Sequence, residues 1–222
     1  MKLHRPRTYY RIMKRGLFGE HVLAEPKVWK AMKQVHGDLF LDIGANMGMY
    51  TLGLSRNFKY VIGYEPNPTM FELLKQNTSK RKNVSLKRIA LSDEDGKTML
   101  FLDETPGRSN GSADTILPFF DYAPASRPEA AKKTYHTDKG TMVETRALDS
   151  LFQGMIDLVK IDVEGAEFLV LKGAVKLLHK HLIRHIIVEL HNRARQEELM
   201  GLFKAYHYQG SWIDLDHYHA SI

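Results

Sequence analysis

No cysteine occurs among the 222 residues. Disulfides, cysteine-ligated zinc and thiol nucleophiles are therefore excluded. Long apolar runs are also missing: no stretch reaches 18 residues, so no membrane-spanning helix is expected. The first residues, MKLHRPRTYYRIMKRG, are positively charged, but no apolar core follows them. That pattern argues against a secretory signal and predicts a cytoplasmic protein. Internal repeats are absent as well. What is present is ordinary: 43% apolar and 26% charged residues fit a globular protein, and the length fits one domain with a substantial core.

The formal charge of +6 is local rather than general. Lys2, Arg5, Arg7, Arg11, Lys14 and Arg15 lie in the first sixteen residues, which contain no acid. The remaining 26 basic residues balance the 26 acids. The sequence thus divides into a basic arm at 1–20 and a neutral domain at 21–222. Such an arm suits an acidic partner, anionic lipid or phosphate, and equally a solvated terminus.

Along the domain, strand-like and helix-like segments alternate. VWKAMKQV (28–35) reads as an amphipathic helix and DLFLDIG (38–44) as a buried parallel strand. A helix from MGMYTLGLS, a strand at 59–66 and a helix at 69–77 follow. VSLKRIALS (84–92) reads as a third strand and KTMLFL (97–102) as another, with an additional strand at 142–148. Strand 155–162, helix 167–180 and strand 185–190 continue the rhythm, before a helix near 194–206 and closing strands within 207–215. Repeated βαβ units predict an α/β, Rossmann-like fold: a mostly parallel sheet with helices on both faces. Ligands in such folds sit at the carboxyl ends of the strands, so the loops at 42–51, 65–68, 92–96, 162–167 and 189–193 can reach the site. The cluster Lys80, Arg81, Lys82 precedes a strand and belongs to the opposite edge. Residues 103–140 lack periodicity for 38 residues, which predicts a substrate lid or a mobile insertion.

Gly44 and Gly48 flank the first strand-to-helix turn as G-x-x-x-G, where a nicotinamide site would want G-x-G-x-x-G. Asp42 ends the preceding strand. A phosphate cradle has little use for a carboxylate there, whereas the amino and sulfonium groups of S-adenosylmethionine are cationic. Glu65, 21 residues after Gly44, suits both hydroxyls of a ribose. Ser92 and Asp93 follow the third strand, where they would meet the adenine or cap a turn.

The blocks LFLDIGANMGMYTL, VIGYEPNPTMFELLKQN, VSLKRIALSDEDG and IDLVKIDVEGAEFLVLKGA, then IIVELH, stand in one order from about 39 to 191. In them the chain resembles the FkbM-type methyltransferases. The resemblance implies a class I Rossmann-like methyltransferase, commonly an O-methyltransferase of sugars or natural products. It places S-adenosylmethionine contacts on Asp42, Gly44, Asn46, Gly48, Thr51, Glu65, Asn67, Ser92 and Asp93.

Methyl transfer is an in-line displacement that needs aligned reactants and a nucleophilic acceptor. A protonated alcohol is a poor nucleophile, so a base or a metal ion is expected. Two strand ends supply the candidates: Lys160, Asp162 and Glu164 in KIDVEG, and Glu189, His191 and Asn192 in VELHN. On neighbouring strands, Asp162, Glu189 and His191 would converge. His191 could take the hydroxyl proton with a carboxylate orienting it. Alternatively, Asp162, Glu189 and His191 could hold a divalent ion, Mn²⁺ before Mg²⁺. A plainer reading pairs Lys160 with Glu189 across the strands and leaves His191 in a loop.

DVEGAE stands where the N-P-P-Y or D-P-P-Y of a base-amine methyltransferase should stand, and no cysteine serves cytosine-C5 chemistry. The expected acceptor is a small molecule or glycan, with PGRSNGS and FFDY as sugar-compatible segments. An RNA ribose methyltransferase using the basic arm, or a non-catalytic Rossmann binding module, are the alternatives.

Overall fold

In a computed structural model of the chain, the described residues are 25–102, 114–118 and 140–222. The basic arm at 1–20 and most of the 103–140 segment lie outside them, with the PGRSNGS and FFDY stretches.

Chain order fixes the elements. Helix α1 (Pro26–Lys33) leads into β1 (Gly37–Ile43), α2 (Met49–Leu54), β2 (Phe58–Tyr64) and α3 (Pro68–Thr78). Strands β3 (Val84–Lys87), β4 (Ala90–Leu91), β5 (Gly96–Phe101) and β6 (Gly140–Arg146) precede α4 (Leu148–Leu151) and β7 (Ile156–Ile161). Then come α5 (Glu167–Lys172), α6 (Val175–His179) and β8 (Ile183–Glu189). A 3₁₀ turn (Arg193–Arg195), α7 (Gln196–Ala205), β9 (Gln209–Trp212) and β10 (His217–Ser221) close the chain.

Seven strands form one sheet in the order β3-β2-β1-β7-β8-β10-β9. The first five run parallel, and β10 turns back antiparallel to both β8 and β9. The strand order reverses between β1 and β7, which opens a crevice at their carboxyl ends. Strand β7 (IDLVKI) is buried at every position, as a parallel strand covered on both faces must be.

Alternation sorts the core into two layers. Phe40, Leu158 and Ile187 face Val28, Trp29, Met32 and Leu54 of α1 and α2. Leu41, Ile43, Val159, Ile161 and Val188 face the other way, onto Val170, Leu171, Leu178 and Phe203. Among the described residues, no helix is long and apolar enough to cross a membrane.

Three expectations change. The third strand at 84–92 is two strands: β3 pairs with β2, and β4 leaves the main sheet for a small sheet ordered β4-β6-β5. The helix over 167–180 breaks at Gly173–Ala174 into α5 and α6. The closing hairpin runs past 215, its second strand being His217–Ser221. The 103–140 segment is also tied down in part, since Thr115 and Phe101 exchange backbone hydrogen bonds of 2.8 and 3.1 Å.

Candidate active site

The turn after β1 is bent by three left-handed residues: Gly44 (φ 78°), Asn46 (φ 49°) and Gly48 (φ 91°). Gly44 passes so close to β7 that a Cβ there would lie 1.7 Å from the carbonyl oxygen of Asp162. Only glycine tolerates both that dihedral and that approach. The amides of Gly44 and Ala45 both donate to the carbonyl of Tyr64, at 3.0 and 2.9 Å, tying the turn to the end of β2.

Glu65 joins this turn to the next loop. Its Oε2 accepts from the Asn46 N–H and its Oε1 from the Asn67 N–H, each at 2.8 Å. Burial raises its pKa to about 8, although both backbone donors favour the charged form.

An open cleft lies over these strand ends, where ligands sit in sheets of this topology. Of the predicted donor contacts, Gly44, Asn46 and Glu65 line it; Tyr64, Ile89, Ala90, Leu91, Leu100 and Ile116 add a largely apolar wall. Asp114, which sequence reasoning did not single out, lies on the rim.

The other predicted contacts build the frame instead. Asp42 is buried inside β1, where its Oδ2 accepts from the Thr51 hydroxyl at 2.5 Å. Burial raises its pKa, against the charge of Lys160. Gly48 starts α2 and packs on Leu74 of α3. The Asn67 side chain caps α3, accepting from Thr69 N at 2.7 Å and Met70 N at 3.1 Å, while its amide donates to Asp114. Ser92 is buried and its hydroxyl donates to Asp93 at 3.0 Å. Neither residue lines the cleft, because β4 has left the main sheet and presents Ile89–Leu91 in their place.

Across the cleft, the ends of β7 and β8 hold most of the charge. Asp162 and Glu164 line the cleft. Glu164 is itself left-handed (φ 51°) and precedes Gly165 at φ 103°. His191, 3% exposed, is held through Nδ1 by Glu167 Oε1 at 2.8 Å. The same oxygen accepts from the Gly165 N–H at 2.8 Å, so Glu167 positions both the turn and the imidazole.

The opposite ring nitrogen, Nε2, faces Glu164 at 3.5 Å and Asp162 and Glu189 at 3.7 Å each. Burial opposes a charge on His191, yet Glu164, Glu167 and Glu189 raise its pKa well above the ordinary histidine value. Asp162, Glu164 and His191 each offer a ligand atom within 4.8 Å of the others. Glu164 thus completes a metal-competent trio that the sequence had drawn with Glu189.

Lys160 pairs with Asp162 at 2.7 Å rather than with Glu189. Its ammonium also lies over the Tyr50 ring, 4.6 Å from the centroid. Burial disfavours this charge, but Asp162, Asp42 and Glu189 together hold the pKa above that of an ordinary lysine. Lys160 is therefore a fixed cation and no proton acceptor. Glu167 escaped sequence reasoning because it reads as the first residue of a helix. Its spacing of five residues from Asp162 was the available signal.

Comparison with known proteins bears on this arrangement. A family model described as the methyltransferase FkbM domain matches residues 42–214. The chain is similar to methyltransferase sdnD of Sordaria araneosa, 29% identical over 168 residues that cover 67% of this chain and 64% of that protein. It is also similar to the hexuronic acid methyltransferase AglP of Haloferax volcanii, 27% identical over 155 residues, 69% of this chain and 56% of that one. The chain thus spans less than two thirds of the length of either relative. Among solved structures, it resembles in fold the methyltransferase FkbM from Methylobacillus flagellatus. That match has a TM-score of 0.55 at 15% identity and covers 84% of this chain and 44% of the other.

Proposed function

The chain belongs to the FkbM methyltransferase family, and from that premise we propose that it transfers the methyl group of S-adenosylmethionine to a hydroxyl of a neutral sugar or natural product. The observation that carries this reading is the carboxylate–imidazole cluster of Asp162, Glu164 and His191, of which Asp162 and Glu164 line the cleft over the strand ends.

Gly44, Asn46 and Glu65 would hold the donor, with Glu65 accepting from the ribose hydroxyls and the apolar wall covering the adenine. The methyl would then face Asp162 and Glu164. His191, oriented by Glu167, takes the hydroxyl proton on Nε2 as the acceptor oxygen attacks. Its raised pKa makes it a strong base that is scarce at neutral pH, so turnover should climb toward alkaline pH.

The surrounding charge supports the choice of acceptor. Around the imidazole stand Asp162, Glu164, Glu167 and Glu189, with Lys160 as the fixed cation. A uronate or a nucleic-acid phosphate entering there would meet these acids. AglP, by its name, acts on a hexuronic acid, which supports sugar-like acceptors in general. A second reading has specific support: the trio Asp162, Glu164 and His191 suits a divalent cation that would lower the acceptor's pKa in place of the base.

Incubation with isotopically labelled S-adenosylmethionine and a panel of neutral glycosides, uronates and oligoribonucleotides tests the reading. The expected product is an O-methylated neutral hydroxyl compound, formed equally well after EDTA treatment. Loss of turnover on chelation would favour the cation reading. Labelled RNA, or donor binding without turnover on any hydroxyl, would overturn the proposal.

A further inference from the structure

Glu189 has two carboxylate oxygens, and they face different imidazoles. Oε1 lies 3.7 Å from His191 Nε2, and Oε2 lies 3.3 Å from His217 Nε2. His217 stands opposite Glu189 in the antiparallel β8–β10 register and is 4% exposed.

Its Nδ1 is engaged by Asp214 Oδ1 at 2.9 Å, and that oxygen also accepts from the backbone N–H groups of Asp216 and His217 at 3.0 and 2.9 Å. The buried Nε2 makes no hydrogen bond of acceptable geometry. It points instead at Glu189 and at Glu25 Oε2, 3.8 Å away. Glu25 is itself anchored by the Tyr50 hydroxyl, and Tyr50 stacks on Trp29 with ring centroids 4.6 Å apart.

The geometry points to a divalent-cation site formed by Glu25, Glu189 and His217, separate from the Asp162–Glu164–His191 trio and joined to it through Glu189. The three donor atoms lie within 4.8 Å of one another. Two ligands each about 2.1 Å from one ion stand roughly 3.0–4.2 Å apart, which matches the 3.3 and 3.8 Å separations from His217.

A carboxylate on Nδ1 orients the ring with Nε2 toward Glu189 and Glu25, a recurring arrangement behind ligating histidines, and a metal bound there would displace the Nε2 proton. Mixed oxygen and imidazole donors suit Mn²⁺ or Zn²⁺ better than Ca²⁺ or Mg²⁺. Glu25 and Glu189 have side chains 23% and 24% exposed, so an ion has a path in. Once bound, the ion would fix the rotamer of Glu189 beside His191, linking occupancy of this site to the acceptor side of the cleft.

Titration of the EDTA-stripped full chain with Mn²⁺, followed by the electron paramagnetic resonance signal of the free ion, tests the site. Wild-type protein should take up one equivalent that Glu25→Gln and His217→Ala each weaken at least tenfold. Asp214→Asn should weaken it less, and His191→Ala should retain it. Glu25 is part-exposed and glutamine keeps an oxygen for the Tyr50 hydroxyl, so Glu25→Gln should melt like wild type and decides the question if His217→Ala does not fold. Wild-type protein that binds no Mn²⁺, or Glu25→Gln and His217→Ala variants that both titrate like wild type, would overturn the proposal. This readout is independent of methyl transfer, so its failure and that of the functional reading are distinguishable.

Discussion

The two walls of the cleft are made of different materials. The donor wall is backbone and apolar surface: a left-handed turn, two amides on one carboxylate, and the Ile89–Leu91 strip. Its essential parts, Gly44 to Asn67, span 24 consecutive residues. The opposite wall is side-chain charge: Asp162 and Glu164 line it, backed by charged residues from Glu25, 160–167, 189–191 and 214–217. A wall of backbone recognises one shape and is intolerant of added atoms. A wall of charge adjusts proton affinity, and each buried member depends on its partners.

The contrast can be attacked from either side, starting with the greatest damage. Gly44→Ala would drive a methyl into the Asp162 carbonyl at a positive φ, costing at least about 3 kcal/mol. For a domain of this size that lowers the melting temperature by roughly 6–12 °C or more. Scanning calorimetry showing an unshifted transition would remove the backbone-wall argument.

His191→Ala should lower turnover about 10²–10⁴-fold while calorimetrically measured donor affinity stays within about threefold, and it should also lower the melting temperature because the buried Glu167 loses its imidazole partner. In the wild type, turnover should increase as pH rises, because a raised histidine pKa keeps the ring protonated, and so unable to accept, through neutrality. A rate that falls with pH above neutrality would break that assignment.

Glu65→Gln sharpens the donor side. Ribose hydroxyls favour the carboxylate form, and Glu65 reaches that form only as pH passes about 8. Wild-type donor affinity should therefore rise between pH 6 and 9 and level off above. The glutamine variant should bind about tenfold more weakly at high pH, with a flat profile. Smallest of all is Ser92→Ala: among the described residues the hydroxyl bonds Asp93 alone, so donor affinity should change less than about twofold, at a stability cost near 1 kcal/mol.

The same contrast explains how much could be read before the structure. Strands β1, β2, β7 and β8 announce themselves as apolar runs ending in an acid or glycine, and the donor turn is local. Gly44, Asn46 and Glu65 lie at the cleft where local spacing put them. Asp42, Thr51 and Asn67 share that spacing, but Thr51 bonds Asp42 Oδ2 and Asn67 caps a helix, a choice made by three-dimensional packing, while Asp42 Oδ1 is buried with no hydrogen-bond partner among the described residues.

The departure of β4 after Lys87 was invisible because Ile89, Ala90 and Leu91 continue a strand-like pattern in either sheet. Asp162, Glu164, Glu189 and His191 were legible as strand-end residues. Glu25, Glu167 and His217 were not, since each sits in a plain local context and gains meaning from a partner far along the chain, and Asp214 matters only through its neighbour His217. His217 is 26 residues beyond His191 and reaches the cluster through the antiparallel return of β10.

The left-handed backbone at Glu164 carries one further implication, for how such a protein changes over generations. A β-carbon at φ 51° is strained, and glycine or asparagine would sit there more comfortably. Selection for heat resistance alone would therefore favour discarding the carboxylate that faces the cleft. If Glu164 serves the proposed reaction, durability and turnover pull in opposite directions at position 164, and keeping glutamate there sets a ceiling on the first for the sake of the second.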